Sequence, residues 1–483
     1  ADTRPTRLSH QQPAVPRRLR LRVRPPDGIS YAKGASALRQ LVTWLGEKDF
    51  LAGINLHFAR HRFGNATLAD FVDSLATASG RDVRSWAEAW LRTTGIDTFT
   101  PQARSAGTTR WQLDVQHTGT RPHRLLIGLY DTDPTEPGRL VLRERAEHDF
   151  PGGRTHTVTG ENRRPDLILL NDEDRSYAKI RLDPDSWQTV ERSLSGLPDS
   201  LSRAVVWNAA RDMVRDAELT PAAYLDVARA HLPRETEIAV VQAVLGFGRT
   251  QIADRLLPAP ERHAALATLT ATCRALLRRT EDGSHPGLRL AALRVFIDSA
   301  TEPDQLREWL TSDVVPGGPA LDPELRWRIL ERLSVLGDAT EHHIATELER
   351  DPSATGQEGA ARCRAALPDA DAKLAAWQLM FENDTLSNYL FTATAQGFWQ
   401  PEQTELVRDY VSAFYPAAAA MSDRRGPALA EAAARYAFPH YAVDGEHLTT
   451  GRDFLRDTDV LPALRRRLAD QLDDLERALR GRG

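Results

Sequence analysis

The sequence of 483 residues predicts a multidomain, mainly α-helical protein: a helical segment, a small β-sandwich and a long α-solenoid. Apolar residues recur at helical spacing over residues 28–100 and again over residues 187–483. Short, partly alternating runs separated by turn residues fill residues 101–186, which is typical of antiparallel strands. Residues 1–27 are basic and rich in proline, and we expect them to form an irregular segment.

Four helices are predicted between residues 28 and 100. Gly46, Gly80 and Gly95 supply stop signals, and Thr67 with Asp70 three residues later forms a variant of the capping box. The predicted inward faces are, for the first helix, Ala35, Leu38, Leu41, Val42 and Leu45, and for the second helix, Phe50, Leu51, Ile54, Phe58 and His61. They are, for the third helix, Leu68, Phe71, Val72 and Leu75, and for the fourth helix, Trp86, Trp90 and Leu91.

Six short strands are predicted within residues 101–186, and they favour a small antiparallel sandwich. From Trp187 onward, helical pieces are joined by short Pro, Gly or Asp breaks. One apolar face of each helix pair needs a partner, and stacked antiparallel pairs provide it. We therefore predict an α-solenoid resembling HEAT repeats, although no strict sequence period is visible.

Composition excludes several classes of function. The net charge of -5 gives no basic field for nucleic acid, and no apolar run approaches the length of a membrane span. Cys273 and Cys363 are too few and too far apart for a disulfide framework or a metal knuckle, so we expect a reducing, cytoplasmic location. The chain begins at Ala1 without methionine, and we expect the numbering to start inside a longer product.

Two histidine pairs have a spacing that makes them candidate zinc sites. His57 and His61 share a helix face, which is ligand geometry, but the hydrolytic motif H-E-x-x-H needs a glutamate where Phe58 stands. A structural role is therefore favoured for this pair. The stretch from Glu341 to Glu349 fails the same test. H-E-x-x-H, G-x-S-x-G and phosphate-binding glycine loops are absent from the whole sequence.

Two further features have open interpretations. The run Arg17–Pro26 is either an anion-binding patch, a strand with one charged face or a solvated arm, and a solvated arm is the usual outcome for such a tract. Tyr31 stands at a predicted helix start, where its phenol can donate a hydrogen bond to a developing oxyanion. By spacing alone, a structural tyrosine is the favoured interpretation.

The surrounding sequence resembles the M1 family of zinc aminopeptidases, the aminopeptidase N group of actinobacterial type. Tyr31, Lys33 and Gly34 match the family's Y-x-K-G motif, and "FGNAT" with the Trp86–Trp90 helix also matches. "LILLNDEDRSYAKIRLD" resembles the end of the family's β-sandwich. "AVVWNAARDMVRDAELT" and "QGFWQPEQ" resemble its helical, ERAP1-C-like C-terminal domain. The resemblance covers nearly the whole chain in order.

This resemblance implies that residues 28–100 are the helical remainder of a thermolysin-like catalytic domain. It also implies that Tyr31 stabilises the tetrahedral intermediate formed when zinc-bound water attacks a peptide carbonyl. The family's H-E-x-x-H motif and its amine-binding G-x-M-E-N motif are absent, and by resemblance they would precede Ala1. We expect the chain to be the C-terminal part of an aminopeptidase that binds no zinc and is inactive alone.

The resemblance is interrupted over residues 7–26, where the flanks match and the middle is unrelated. A local frameshift, later restored, would produce this pattern, and so would a true insertion. Two alternatives to an inert C-terminal part stay open. The chain is either a non-catalytic scaffold that binds peptides or proteins, or half of a split enzyme whose partner is a separately encoded catalytic half.

Overall fold

The computed structural model describes the backbone of residues 28–107 and 109–482, and side chains from residue 33 onward within those ranges. The predicted irregular segment 1–27, with Arg17–Pro26 and the interrupted stretch 7–26, lies outside the described residues. The described part is mainly helical, with two small sheets inserted after the first four helices.

Helices form where apolar periodicity and end signals predict them in the first segment. They are α1 Gly28–Leu45, α2 Glu47–Arg60, α3 Leu68–Ser79 and α4 Val83–Leu91. Thr67 and Asp70 form the predicted capping box at the start of α3. Gly46 and Gly80 follow α1 and α3 with positive φ, a conformation that glycine adopts without a Cβ clash.

The predicted inward faces of these helices are only partly buried. Leu41, Leu45, Val72 and Leu75 pack in one core with Ala37, Val83, Trp86 and Trp90. The rest of the prediction is wrong for several large side chains, which are exposed to solvent: Leu38, Leu51, Phe58, Leu68 and Leu91. Part of the apolar surface of α1, α2 and α3 therefore has no partner among the described residues.

Helix α4 ends at Leu91, four residues before the predicted stop at Gly95. The cause is a tertiary contact. Nη2 of Arg121 donates to the carbonyl oxygens of Thr93, Thr94 and Gly95 at 3.4, 3.0 and 3.1 Å. Because one guanidinium forms hydrogen bonds with all three carbonyl oxygens, the chain leaves the helix early and turns into the first strand.

Seven strands follow: β1 Thr98–Ser105, β2 Arg110–Thr118, β3 His123–Thr132, β4 Leu140–Phe150, β5 Thr155–Glu161, β6 Leu167–Leu170 and β7 Lys179–Ile180. The sequence did not predict β1, which contains Pro101. Proline donates no ladder hydrogen bond and is tolerated on edge strands. Strand β7 pairs with β1 only at Thr98 and Phe99, so Pro101 faces an open edge there.

The strands form two sheets, in the orders β5-β2-β1-β7 and β4-β3-β6. Alternate residues of β2, including Trp111, Leu113 and Val115, point into the core between the sheets. On β6, Ile168 and Leu170 face that core, whereas Leu167 and Leu169 face the helices that follow. The second sheet is thus a middle layer between the first sheet and the helical array.

The remaining helices are α5 Pro184–Ser193, α6 Ser200–Arg215, α7 Pro221–His231, α8 Ile238–Phe247, α9 Ala259–Arg279, α10 Pro286–Ser299, α11 Asp304–Ser312, α12 Pro323–Val335, α13 Glu341–Arg350, α14 Ala354–Ala366, α15 Ala370–Phe381, α16 Asn388–Phe398, α17 Thr404–Arg425, α18 Pro427–Tyr436, α19 Gly445–Asp457 and α20 Pro462–Arg482. A π-helical segment, Gly248–Leu256, follows α8. The sequence predicted the helical character of this region but not the π-helix.

These helices form two layers. Each even-numbered helix from α8 to α18 contacts the next even-numbered helix, and α15, α17 and α19 contact one another in order in the other layer. The last helix, α20, packs back on α6 and the π-helical segment. The guanidinium of Arg482 donates to the carbonyl oxygens of Arg255, Val443 and Leu257. The array therefore curves so that its last helix meets its first long one.

Within the described ranges, each helix is too short or too polar to cross a membrane.

Candidate functional site

Tyr31, the predicted catalytic residue, lies in the first turn of α1. The placement of its side chain lies outside the described residues. Lys33, two residues later, is half-buried. Gly34 has open space around the position where a Cβ would project. Packing among the described residues therefore does not explain a glycine at that position.

His57 and His61 lie on one face of the end of α2, as their spacing predicts. Their ring centroids are 4.9 Å apart, and the His57 ring meets Phe71 edge-on at 5.4 Å. Asp70 is the neighbouring carboxylate, but its Oδ2 accepts hydrogen bonds from the backbone and hydroxyl of Thr67 at 2.8 and 2.7 Å. Within the described ranges, the two histidines belong to no group of three metal-ligating side chains, and the Asp70 carboxylate caps α3.

One histidine of the stretch Glu341–Glu349 has a local structural role. His343 accepts a hydrogen bond from the backbone N–H of Thr340 at 3.1 Å and caps α13. Cys273 and Cys363 are free and fully buried, and burial raises the pKa of both thiols. Because the thiolate is the reactive form, neither cysteine is suited to nucleophilic chemistry.

One buried group that no sequence motif indicated is formed by Asp97, His117 and His123. It lies where the helical segment meets the sandwich. Oδ2 of Asp97 is 2.9 Å from Nε2 of His117 and 3.4 Å from Nε2 of His123. Within the described ranges, no other cluster brings three metal-ligating side chains together in this way. All three residues are buried.

Arg121 also belongs to this cluster, and we call Asp97, His117, Arg121 and His123 together the Asp97 joint. The Arg121 guanidinium forms an ion pair with Asp97, and the Arg121 backbone N–H donates to Oδ2 of Asp97 at 3.0 Å. Nδ1 of His123 and the hydroxyl of Ser176 share a hydrogen bond of 2.7 Å. The joint therefore links the connection after α4, the β2–β3 turn and the end of the sandwich.

Charge within the joint follows from its burial and contacts. Burial raises the pKa of Asp97, but the imidazoles of His117 and His123 and the Arg121 amide outweigh it and hold that pKa well below its usual range. Burial lowers the pKa of His123. At neutral pH the joint thus contains an Asp97–Arg121 ion pair with an uncharged His123.

The Asp97 group does not fit a hydrolytic zinc site. Such a site keeps one metal position open for water or substrate. His117, His123 and Asp97 are only 4%, 1% and 2% exposed, so a peptide cannot reach them. Asp97 is already neutralised by Arg121. This arrangement instead fixes the orientation of the helical segment on the sandwich.

Only a weak signal for this joint is present in the sequence. His117 and His123 flank the turn "TGTRP", but they lie on strands of different sheets. Strand pairing therefore does not bring them together, and their proximity depends on how the two sheets pack. Asp97 lies 20 residues before His117, in a connection with no periodic pattern.

Comparisons with known proteins identify the family. The sequence profile of the ERAP1-like C-terminal domain matches residues 167–477, and that of the peptidase family M1 domain matches residues 26–90. The chain thus carries two parts that occur in M1 peptidases, in the order expected from the resemblance. It belongs to the M1 family, in the aminopeptidase N group.

The relatives are aminopeptidases. Aminopeptidase N of Streptomyces lividans is 37% identical over 474 residues, which are 94% of this chain and 54% of the relative. The alanine/arginine aminopeptidase of Saccharomyces cerevisiae is 33% identical over 162 residues, 32% of this chain and 19% of the relative. The chain therefore spans about half the length of the first of these relatives.

A solved structure supports the fold. The crystal structure of Legionella pneumophila aminopeptidase A superposes with a TM-score of 0.59 at 15% identity. The match covers 92% of this chain and 56% of that structure. At this identity the likeness supports the fold and not the activity.

Proposed function

We propose that this chain is the C-terminal part of a zinc aminopeptidase that removes N-terminal residues from peptides. The observation that carries the proposal is the alignment of 94% of the chain with about half of an aminopeptidase N, in which the M1 match is limited to residues 26–90. That range contains Tyr31, Lys33 and Gly34 of the family's Y-x-K-G motif.

The uncovered apolar surface of the first helices supports this proposal. Phe58 and Phe63 are 68% and 109% exposed, and Leu38, Leu51 and Leu68 are about half exposed. Contiguous exposed apolar surface marks an interaction site in a folded protein. In our proposal it packs against the remainder of the M1 catalytic domain, which these 483 residues do not include.

Zinc and Tyr31 have different roles in the proposed reaction. The zinc ligands and the general base come from outside these 483 residues, because the sequence has no H-E-x-x-H motif and the Asp97 group is inaccessible. When bound, the metal activates water for attack on the peptide carbonyl. Tyr31 donates its phenolic proton in a hydrogen bond to the oxyanion that forms.

The partners and location follow from the same reasoning. The partners are a peptide substrate and the remaining catalytic half, encoded separately or in the same gene. The buried free cysteines suit a cytoplasmic setting. No nucleic acid or membrane partner is proposed.

The test measures hydrolysis of an alanyl-anilide and zinc content for the chain alone and with a co-expressed M1 catalytic half. We expect no turnover from the chain alone, and turnover with bound zinc in the complex. Tyr31→Phe should lower kcat in the complex by about 100-fold or more, as for loss of an oxyanion donor, while zinc content stays constant.

The matched control is Tyr389→Phe, because Tyr389 is 75% exposed on α16 and should have no effect on kcat. Turnover by the purified chain alone would refute the proposal. A chain that binds peptide but recruits neither zinc nor a catalytic half would favour the non-catalytic scaffold instead.

A further inference from the structure

A cavity of about 390 Å³ opens where the helical segment, the sandwich and the helical array meet. Ser36 of α1, the connection around Asp174, helix α6 and Arg477 of α20 line it. Cavities at domain junctions with volumes of this order commonly hold small ligands. Ser176, which shares a hydrogen bond with His123, lines the cavity, whereas Asp97, His117, Arg121 and His123 do not.

Helix α6 contributes a polar stripe to this cavity. Asn208, Arg211, Asp212 and Arg215 follow one another at spacings of three, one and three residues and all line it. Residues three and four apart lie on the same face of a helix. The face that α6 turns toward the cavity is therefore charged along two turns, whereas Val206 and Trp207 on other faces are buried.

Most charges around the cavity have a partner. Nζ of Lys179 is 2.5 Å from Oδ2 of Asp216, and Arg477 is 2.9 Å from Asp473. Arg211 and Asp212 differ, because neither side chain makes a hydrogen bond or an ion pair with any of the described residues. One cation and one anion on the cavity wall are thus left for a ligand or for water.

Two carboxyl groups on the cavity wall, of the half-buried Asp212 and the exposed Asp174, have raised pKa values. Burial raises the pKa of Asp212, although Arg211 and Lys179 oppose the shift, and burial also raises the pKa of Asp174. A ligand ammonium would stabilise the charged form of both carboxyls. A ligand carboxylate would do the same for the unpaired guanidinium of Arg211 through a charge-assisted hydrogen bond.

We propose that this cavity binds a zwitterion, an amino acid or a short peptide, with its ammonium at Asp212 and Asp174 and its carboxylate at Arg211. A ligand that carries both charges pairs the free cation and the free anion without leaving a new charge buried. A simple anion or cation would satisfy one and leave the other unpaired. The site requires neither zinc nor Tyr31, so it can be tested on the chain alone.

The test is isothermal titration calorimetry on the full chain with L-alanine and L-alanyl-L-alanine as probes. We expect saturable binding of at least one probe with a dissociation constant of about 1 mM or tighter. Equal binding of both probes would identify a free amino acid as the ligand, and preference for the dipeptide would identify a peptide. Either result supports a zwitterion site.

Blocked probes and variants test the two charges separately. N-acetyl-L-alanine lacks the ammonium and L-alaninamide lacks the carboxylate, and each should bind at least about tenfold more weakly than L-alanine or the dipeptide. Asp212→Asn and Arg211→Gln should each weaken the binding of the unblocked probe by a similar factor. Asp226→Asn and Arg229→Gln, an exposed ion pair on the neighbouring helix α7, are matched controls that should leave binding unchanged.

Circular dichroism of each variant establishes that it folds. Absence of saturable binding by either probe would overturn the proposal, as would blocked probes that bind as well as unblocked ones. Folded Asp212→Asn and Arg211→Gln proteins with unchanged affinity would also overturn it. None of these outcomes bears on catalysis, so the proposed aminopeptidase function is tested independently.

Discussion

The helices at residues 28–91 and those at residues 184–482 are built on the same amphipathic periodicity, but they bury it to different extents. In the first region, Leu38, Leu51, Phe58, Phe63 and Leu68 are exposed. In the second, nearly all large apolar side chains are inside, and residues such as Leu330 and Phe391 are fully buried. The array closes because α20 returns to α6, whereas α1, α2 and α3 have one uncovered side.

This difference shows what an apolar helix face specifies. The face specifies that a partner is needed and not where that partner is encoded. The helical array supplies its own partners through stacked neighbours, each helix covering the next. The first four helices have a core of their own around Trp86 and Trp90, but part of their apolar surface has no partner among the described residues.

The largest expected effect compares two phenylalanines. Phe391→Ala empties a fully buried position in α16 and should lower the free energy of unfolding by about 3–5 kcal/mol. Phe58→Ala, at an exposed position in α2, should change it by less than about 0.5 kcal/mol. Urea denaturation followed by circular dichroism measures both values. Equal losses would mean that Phe58 is buried in solution and would contradict the comparison.

The second prediction concerns acid and the Asp97 joint, which connects the two regions through the sandwich. His123 has a folded-state pKa below its ordinary value of 6.5, so the unfolded chain binds the proton first. The stability from neutral His123 is complete above pH 6.5 and decreases as pH falls below it. Asp97 adds a further loss from about pH 3.8 downward.

Urea midpoints measured between pH 8 and pH 3 (roughly the window in which histidine and carboxyl groups titrate) test this. His123→Gln should reduce the slope of the urea midpoint against pH below pH 6.5. His263→Gln, at an exposed position of α9, should leave the slope unchanged. If both variants retained the full slope, the joint would not be the source of the acid sensitivity.

The third prediction is a smaller difference in local opening. Backbone amides of α2 and α3 should exchange with deuterium at least about tenfold faster than those of α12 and α14, since fewer buried contacts hold them. Adding the M1 catalytic half should slow exchange in α2 and α3 and leave α12 unchanged. Limited proteolysis that cleaves the array before the first helices would count against this ordering.

The smallest expected effect is on surface chemistry alone. Phe63→Ser should decrease binding of a dye that recognises exposed apolar surface, with a change of less than about 0.5 kcal/mol in the free energy of unfolding. Tyr389→Ser removes a similarly exposed aromatic ring from the array and is the control. Dye fluorescence that falls equally in both variants would mean that the first helices present no special apolar patch.

Much of the fold could be predicted because local signals and tertiary packing agree. The capping box at Thr67 and Asp70, the stop at Gly46 and the long helical region after residue 187 are all present. Predictions were wrong where packing overrode the local pattern. Strand β1 forms despite Pro101, because β2 pairs with it along its length and the proline faces an open edge.

The candidate sites divide in the same way. Tyr31 could be singled out from the Y-x-K-G motif, which is contiguous in sequence. The Asp97 joint and the cavity beside α6 could not, because their residues come from separate elements and have ordinary local surroundings. Arg211 and Asp212 resemble any charged pair on a helix until the neighbouring side chains are known.

The sequence by itself determined most of the helix and strand content, the order of the three regions and membership of the M1 family. These depend on periodicity, end signals and contiguous motifs, which are local properties of the chain. Only the tertiary structure decided which apolar faces are covered, that Arg121 ends α4 early, and which charges lack partners. Those outcomes depend on distances between residues far apart in sequence, and the packing of sheets and helices sets these distances.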